Sequence, residues 1–430
     1  MAIDTDPRLR HQLIYSVYVR SHSASGDFAG VARDLDRIRD IGVDVIWLMP
    51  IYPCGQELMK GSVGSPYAIA DYRGINPEYG TMADFVDLVE QIHQRGMRCM
   101  LDIVFNHTSP DARLFNEHPE YYVRGPNGEF RSRIPDWEDV YDLDFGQPGV
   151  WEYHLETMRH WARYVDGFRC DVAPLLPLEF WRRARAEIAR LKPGFLWLAE
   201  TVEPDWIRLN RSRGVACHSD GEMYDAFDVT YDYDVINALR DYAEGKGTLG
   251  RYVELLNLQD AWYPGNYVKL RFLENHDRPR IRSYLAEQPE LLNWTAFLYF
   301  QKGATLLYAG QEMQEQLKPS LFEIEKVVWD PSLDITDWLR RLRRIKQDPL
   351  VSAGDYQLTV APGADTVVAS YRDRTGALIG IFPFRCESGA VPVPGVTDGE
   401  YRDLIGDGPV RVVDGQVAST GTAIVFRVDP

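Results

Sequence analysis

Cysteine is scarce in this chain. Five occur among 430 residues (Cys54, Cys99, Cys170, Cys217 and Cys386), widely spaced and with no CxxC pair. An odd number at such spacing builds neither a disulfide framework nor a zinc site, so these cysteines are expected to be small buried residues. Long apolar runs are missing as well. No window approaches the roughly 18 apolar residues of a membrane-spanning helix, and the opening MAIDTDPRLRHQL has no basic stretch leading into an apolar one. A membrane partner is therefore not expected, and the expected location is cytoplasmic. Positive charge is in deficit: 47 Lys+Arg against 64 Asp+Glu give a formal net charge of −17, which repels phosphate backbones and argues against nucleic acid as a partner. No Gly-rich phosphate loop follows the first apolar run, which argues against a doubly wound nucleotide-binding sheet. No repeat or low-complexity tract breaks the sequence.

What is present is an alternation of short apolar runs with amphipathic stretches, the βα rhythm of a parallel sheet. Eight runs read as strands: 13–19, 43–48, 98–105, 166–172, 195–200, 223–227, 268–275 and 304–308. Stretches such as 28–41, 83–95 and 177–191 carry apolar residues three and four apart and read as helices covering the outside. The expected fold is an α/β (β/α)8 TIM barrel formed by 1–107 and 150–349. Two segments depart from the rhythm. The first, 108–149, is long and rich in Pro, Gly, Asp and aromatics. It is expected as an excursion domain over the C-terminal face, bringing Tyr121, Tyr122, Trp137 and Phe145 near the barrel mouth. From about 350 to 430 the helical period gives way to short alternating runs, such as TVVASYR and AIVFRV, divided by Gly and Pro, which predicts a C-terminal antiparallel β-sandwich.

A barrel places its chemistry at the C-terminal ends of its strands. There the sequence has Asn106 and His107 after strand three, Arg169 and Asp171 on strand four, Glu200 after strand five, and Asn275, His276 and Asp277 after strand seven. A single carboxylate in such a place is ordinarily a helix cap or a salt-bridge partner. Four strand ends converging with Asp, Glu, Arg and His have a more specific use. Glycoside hydrolysis needs two carboxyl groups flanking the bond, one ionised and one protonated. Arg169, two residues before Asp171, points to the same side and is expected to hold it ionised. Glu200 has no basic neighbour in sequence, which suits a proton donor. The 24 Tyr and 11 Trp residues would also suit sugar rings, although most aromatics simply fill cores.

In their order and separations, DIVFNH, GFRCDV, LAE and ENHD resemble the four signature regions of the α-amylase family, and SPYAIADYRGINPEYGT, YDLD and GATLLYAGQEM extend the likeness over about 13–313. The resemblance implies a retaining glycosidase acting on α-glucosidic bonds, mainly α-1,4, in malto-oligosaccharides or related α-glucans. It implies Asp171 as nucleophile, Glu200 as general acid/base and Asp277 as transition-state stabiliser, with Tyr67, His107, Arg169 and His276 around the sugar. Asp102 reads equally as a buried structural hydrogen-bonder or a ligand. No cofactor is required by this chemistry, and a structural calcium ion at Asn106 is the one metal the resemblance raises. Pro174 and Leu175 stand where typical α-amylases have Lys and His, which predicts a short, partly apolar leaving-group side. Transglycosylase or phosphorylase action through the same intermediate stays open. A non-catalytic binding member is disfavoured because all three carboxylates are present.

Overall fold

In the computed structural model, residues 4–430 are described, so Met1–Ile3 of the opening segment lie outside the description. Eight parallel strands close into a barrel: β1 (Leu13–Val17), β2 (Val45–Leu48), β3 (Arg98–Ile103), β4 (Gly167–Cys170), β5 (Leu196–Ala199), β6 (Val229–Tyr231), β7 (Val268–Arg271) and β8 (Ala304–Tyr308). Each pairs with its sequence neighbours, and β8 returns to β1.

Side-chain alternation divides the strands between two cores. Ile14, Val45, Trp47, Met100, Leu198 and Leu270 fill the barrel, while Tyr15, Ile46, Leu48, Leu101 and Phe168 pack outward under the helices. Burial on both faces explains why the strands read as nearly continuous apolar runs. The surrounding helices start and stop on local signals. Thr81 and Asp84 form a capping box before Met82–Gln94. Gly42, at φ +97°, ends Leu35–Ile41 in a conformation that suits glycine, and a Cβ there would meet Arg343 Cγ at 2.6 Å.

One expected strand is misplaced. The segment 223–227 is not β6. A capping box between Ser219 and Glu222 starts a helical turn at Asp220–Met223. Met223, Ala226 and Phe227 pack into the outer core, and the strand follows at Val229–Tyr231, with Val229 and Tyr231 inside the barrel.

Between β3 and the helix Pro148–Trp161 the chain makes its excursion, anchored by a two-stranded antiparallel pairing of His107–Thr108 with Tyr141–Asp142. Phe115, Tyr122, Phe130 and Tyr141 form its small aromatic core. After the barrel, β9–β16 (Asp355–Val360, Thr366–Asp373, Gly376–Pro383, Ser388–Pro392, Gly399–Arg402, Pro409–Val413, Gln416–Thr420, Ile424–Val428) form two four-stranded antiparallel sheets, ordered β9-β10-β11-β16 and β12-β15-β14-β13. Their facing residues, including Ile381, Val391, Val412 and Phe426, make a sandwich core of their own. The sandwich docks on the barrel helix Gln288–Phe300, where Trp294 stacks on Phe384 at 3.8 Å. All five cysteines are free; three are buried, and Cys54 and Cys386 are half-buried. Among the described residues, no helix is long and apolar enough to cross a membrane.

Candidate active site

Arg169 organises the mouth of the barrel. Register sets it beside Asp102 on the neighbouring strand, and alternation turns both inward. Its Nη1 donates to Asp102 Oδ1 at 2.9 Å and to Asp171 Oδ1 at 3.0 Å, and its Nε donates to the Tyr231 hydroxyl at 3.1 Å. Its Nη2 lies 2.8 Å from Glu200 Oε1, an ion pair whose angles do not make a hydrogen bond. Trp47, Tyr67 and Tyr231 lie 5.1–5.7 Å from the guanidinium carbon. The cation is thus enclosed by π faces and three carboxylates.

Above it is a pocket of about 280 Å³, lined among others by Tyr67, His107, Asp171, Glu200, His276 and Asp277. Glu200 Oε2 accepts the backbone N–H of Val172 at 2.8 Å. That N–H is aimed by a left-handed backbone at Val172 (φ +35°, ψ +41°), a strained state for a β-branched residue that costs on the order of 1–3 kcal/mol. Tyr67 and His276 stack at 5.5 Å with their planes 11° apart. The Tyr67 hydroxyl donates to Asp102 Oδ2 at 3.1 Å, which leaves His276 Nε2, 2.8 Å from that hydroxyl and 3.2 Å from Asp277 Oδ2, to carry the ring proton. Asp277 is the most open carboxylate, with 42% of its side chain exposed, against 9% for Asp171 and 8% for Glu200.

Three carboxylates share one guanidinium, so the cluster cannot be fully ionised cheaply. Burial, then the charge of Glu200, push Asp171 well above the ordinary carboxylate range, with Arg169 pulling the other way. Burial raises Asp102 to about 7 against the pull of Arg169. The proton belongs to the coupled set rather than to one residue. Burial, helped by Arg169, lowers His276 to about 3, and burial also lowers His107, so both imidazoles are neutral near pH 7.

Residues 12–350 match the α-amylase catalytic domain, and residues 357–426 match the bacterial α-amylase C-terminal domain. The chain belongs to the α-amylase family of glycosidases. α-Amylase MalA from Haloarcula japonica is 28% identical over 431 residues, covering 93% of this chain and 60% of MalA. The intracellular maltogenic amylase of Bacillus subtilis is 27% identical, covering 74% of this chain and 54% of that enzyme. The chain therefore spans little more than half the length of these relatives. Among solved structures, an α-amylase from Lactobacillus plantarum superposes with a TM-score of 0.96 at 46% identity, covering 98% of this chain and 100% of that one. The noncanonic maltogenic α-amylase AmyB from Thermotoga neapolitana gives 0.86 at 31% identity, over 98% and 100%.

Within this α-amylase-family pocket the structure brings together Tyr67, His107, Asp171, Glu200, His276 and Asp277, with Arg169 beneath them. Asp102, left open by the sequence, holds Arg169, Trp47 and Tyr67 and does not line the pocket. Other readings need correction. Glu200 lacks a basic neighbour only in sequence, since Arg169 reaches it in space. Because that guanidinium is divided among three carboxylates, it does not outweigh the burial that raises Asp171.

Of the four excursion aromatics only Trp137 lines the pocket, 5.2 Å from the His107 ring. Tyr121 stacks on His118, Tyr122 is buried, and Phe145 packs on Phe180. Pro174 and Leu175 sit buried in a short 3-10 turn, away from the pocket lining. Sequence reasoning missed Lys60, Asp139 and Phe322, which come from loops after β2, in the excursion and after β8. Lys60 pairs with Asp139 at 3.0 Å and so ties two of those loops together beside the pocket. No periodicity marks such residues. Trp47 could have been found, because it lies on an expected strand whose alternation turns it inward; Tyr231 could not, because its strand was placed elsewhere.

Proposed function

We propose that the chain is a retaining glycosidase that cleaves α-glucosidic bonds, mainly α-1,4, in short malto-oligosaccharides. The observation that carries this reading is the shared guanidinium: Asp171 and Glu200 are held by neighbouring nitrogens of Arg169 and face one pocket. That closeness favours the separation of about 5–5.5 Å used for double displacement over the 6.5–9.5 Å that leaves room for a direct water attack. Asp171 attacks the anomeric carbon while Glu200 gives its proton to the glycosidic oxygen, releasing the leaving sugar as an alcohol. Water then transfers a proton to Glu200 and attacks the glycosyl ester, regenerating the Asp171 carboxylate. Asp277 and His276 bind hydroxyls of the same ring, and Asp277 adds negative charge near the oxocarbenium-like transition state. Tyr67 supplies the stacking face.

The pocket, about 280 Å³, is slightly smaller than the roughly 300–1,000 Å³ of most ligand sites, and the Lys60–Asp139 pair forms part of its lining. That supports short substrates. Names among the relatives, maltogenic and intracellular, support maltose-series substrates and action in the cytoplasm. The test is an anomer-resolved proton NMR time course on maltopentaose and soluble starch. The α-anomer appears first, and kcat/KM per bond is higher on the oligosaccharide. Initial β-anomer would end the double-displacement reading, and a preference for starch would end the short-substrate one.

Glu200→Gln gives a second check. Without an acid the enzyme loses the roughly 10²–10⁴-fold that proton transfer contributes on natural glucosides. An aryl glucoside with an acidic phenol leaves without help and is glycosylated at nearly the wild-type rate. Equal losses on both substrates in pre-steady-state assays would remove Glu200 from the acid role.

A further inference from the structure

The calcium ion raised by the resemblance at Asn106 meets a different occupant. Arg133 of the excursion reaches back to the barrel. Its Nη2 donates to Asn106 Oδ1 at 3.1 Å, and its Nε and backbone N–H donate to Asp142 Oδ2 at 2.8 and 2.9 Å. Asp142 Oδ1 accepts from Asn106 Nδ2 at 3.3 Å, and the Asn106 carbonyl accepts from Leu143 N at 2.9 Å. Every oxygen that Asn106 and Asp142 could offer a metal is already taken by an N–H. Calcium needs about six to eight oxygens at roughly 2.3–2.6 Å, and among the described residues no three His, Cys, Asp or Glu come together as a metal cluster. The residues present do not fit the ion.

The same contacts fix an orientation. A guanidinium only donates and a carboxylate only accepts, so Asn106 must turn its oxygen to Arg133 and its NH2 to Asp142. That NH2 also reaches His107 Nδ1 at 3.1 Å, and as a donor it requires Nδ1 to be the unprotonated nitrogen. The imidazole hydrogen is left on Nε2, for donation in the pocket that His107 lines.

We propose that Arg133 is a positioning residue that takes the place of a divalent cation at the junction of barrel and excursion, and through the Asn106 amide sets the His107 tautomer. Only its effect on activity rests on the glycosidase reading. Calcium binding and the tautomer are measured without substrate, so the two readings fail separately.

The test uses the whole chain. Calorimetric titration with calcium chloride shows no binding to the wild type, and its Tm is the same in calcium and in EDTA. Long-range 15N–1H NMR of labelled histidines, with the His107 signals assigned by their loss in His107→Gln, shows the Nε2–H form alone. Arg133→Lys keeps the charge but not the planar fork. Its Tm stays close to wild type, His107 becomes a mixture of tautomers, and kcat/KM on maltotriose falls about 10- to 100-fold, as for residues that orient a histidine from behind. Arg133→Met leaves Asn106 and Asp142 without a cation, melts several degrees lower, and lets His107 populate both tautomers. Calcium binding by the wild type with a matching rise in Tm would overturn the proposal, and so would a single Nε2–H tautomer in both Arg133 variants.

Discussion

Asp171→Asn abolishes nearly all turnover, with kcat on maltotriose lower by about 10⁴–10⁶-fold, while the chain stays folded. On the proposed mechanism the loss is large because no covalent intermediate forms without that carboxylate, and losing the nucleophile of a group that acts as a unit costs as much as losing the unit. The change also moves stability, with a sign that can be worked out. In the folded state Asp171 is raised above its ordinary value of 3.8, by burial and then by Glu200. The folded chain therefore binds more protons than the unfolded one above about pH 4, and keeping Asp171 ionised subtracts from stability as pH rises through the folded pKa. Asparagine removes that cost. At neutral pH the variant melts no lower than wild type, and any advantage disappears below the ordinary carboxylate range, where Asp171 is protonated in both states. Retention of a tenth of wild-type kcat would disprove the nucleophile assignment, and a Tm well below wild type at pH 7 would contradict the electrostatic account.

The barrel was legible because its strands are buried on both faces and so carry dense apolar runs that survive without any knowledge of partners. Strand ends were overrun, as at 98–105 against Arg98–Ile103, because Val104 and Phe105 continue into the core beyond the pairing. The sixth strand was missed because three residues, Val229–Tyr231, are a weak signal beside the richer MYDAF segment, which a capping box bends into a turn. The polar residues of the site were legible for a related reason. They stand at the ends of apolar strands, where one charge is ordinarily a cap or a salt-bridge partner, but four segments share that position. What sequence spacing could not convey is sharing in space. Arg169 reads as the partner of Asp171 alone, yet its second nitrogen belongs to Glu200 and its first is divided with Asp102. Loop residues were illegible altogether: Lys60, Phe322 and Arg133 sit in segments without period, and their roles come from where the folded loops end.

That shared guanidinium makes Arg169→Met the most damaging single change for the fold. Methionine keeps much of the side-chain bulk among Trp47, Tyr67 and Tyr231 but leaves Asp102, Asp171 and Glu200 facing one another without a cation. Removing one partner of a buried ion pair costs about 3–5 kcal/mol, and here one cation serves three carboxylates, so the variant should be unfolded or nearly so at neutral pH. Acid should restore it in part. Asp102 already titrates near 7 with Arg169 present, against 3.8 ordinarily, because burial outweighs the guanidinium. Without Arg169, which pulls both of them down, the folded-state pKa values of Asp102 and Asp171 rise further. A folded state that binds more protons than the unfolded one loses stability as pH rises, beginning near the ordinary carboxylate value and continuing through the folded one. Lowering the pH from about 7.5 to about 5 therefore protonates Asp102 and raises the Tm of Arg169→Met by more than that of wild type, as differential scanning calorimetry can measure. A variant whose Tm does not respond to pH over that window would mean that the three carboxylates are not the source of its instability. Arg169→Lys separates charge from geometry: an ammonium at this position restores much of the stability but reaches the carboxylates as a single point, so the chain folds at pH 7 while its kcat stays far below wild type.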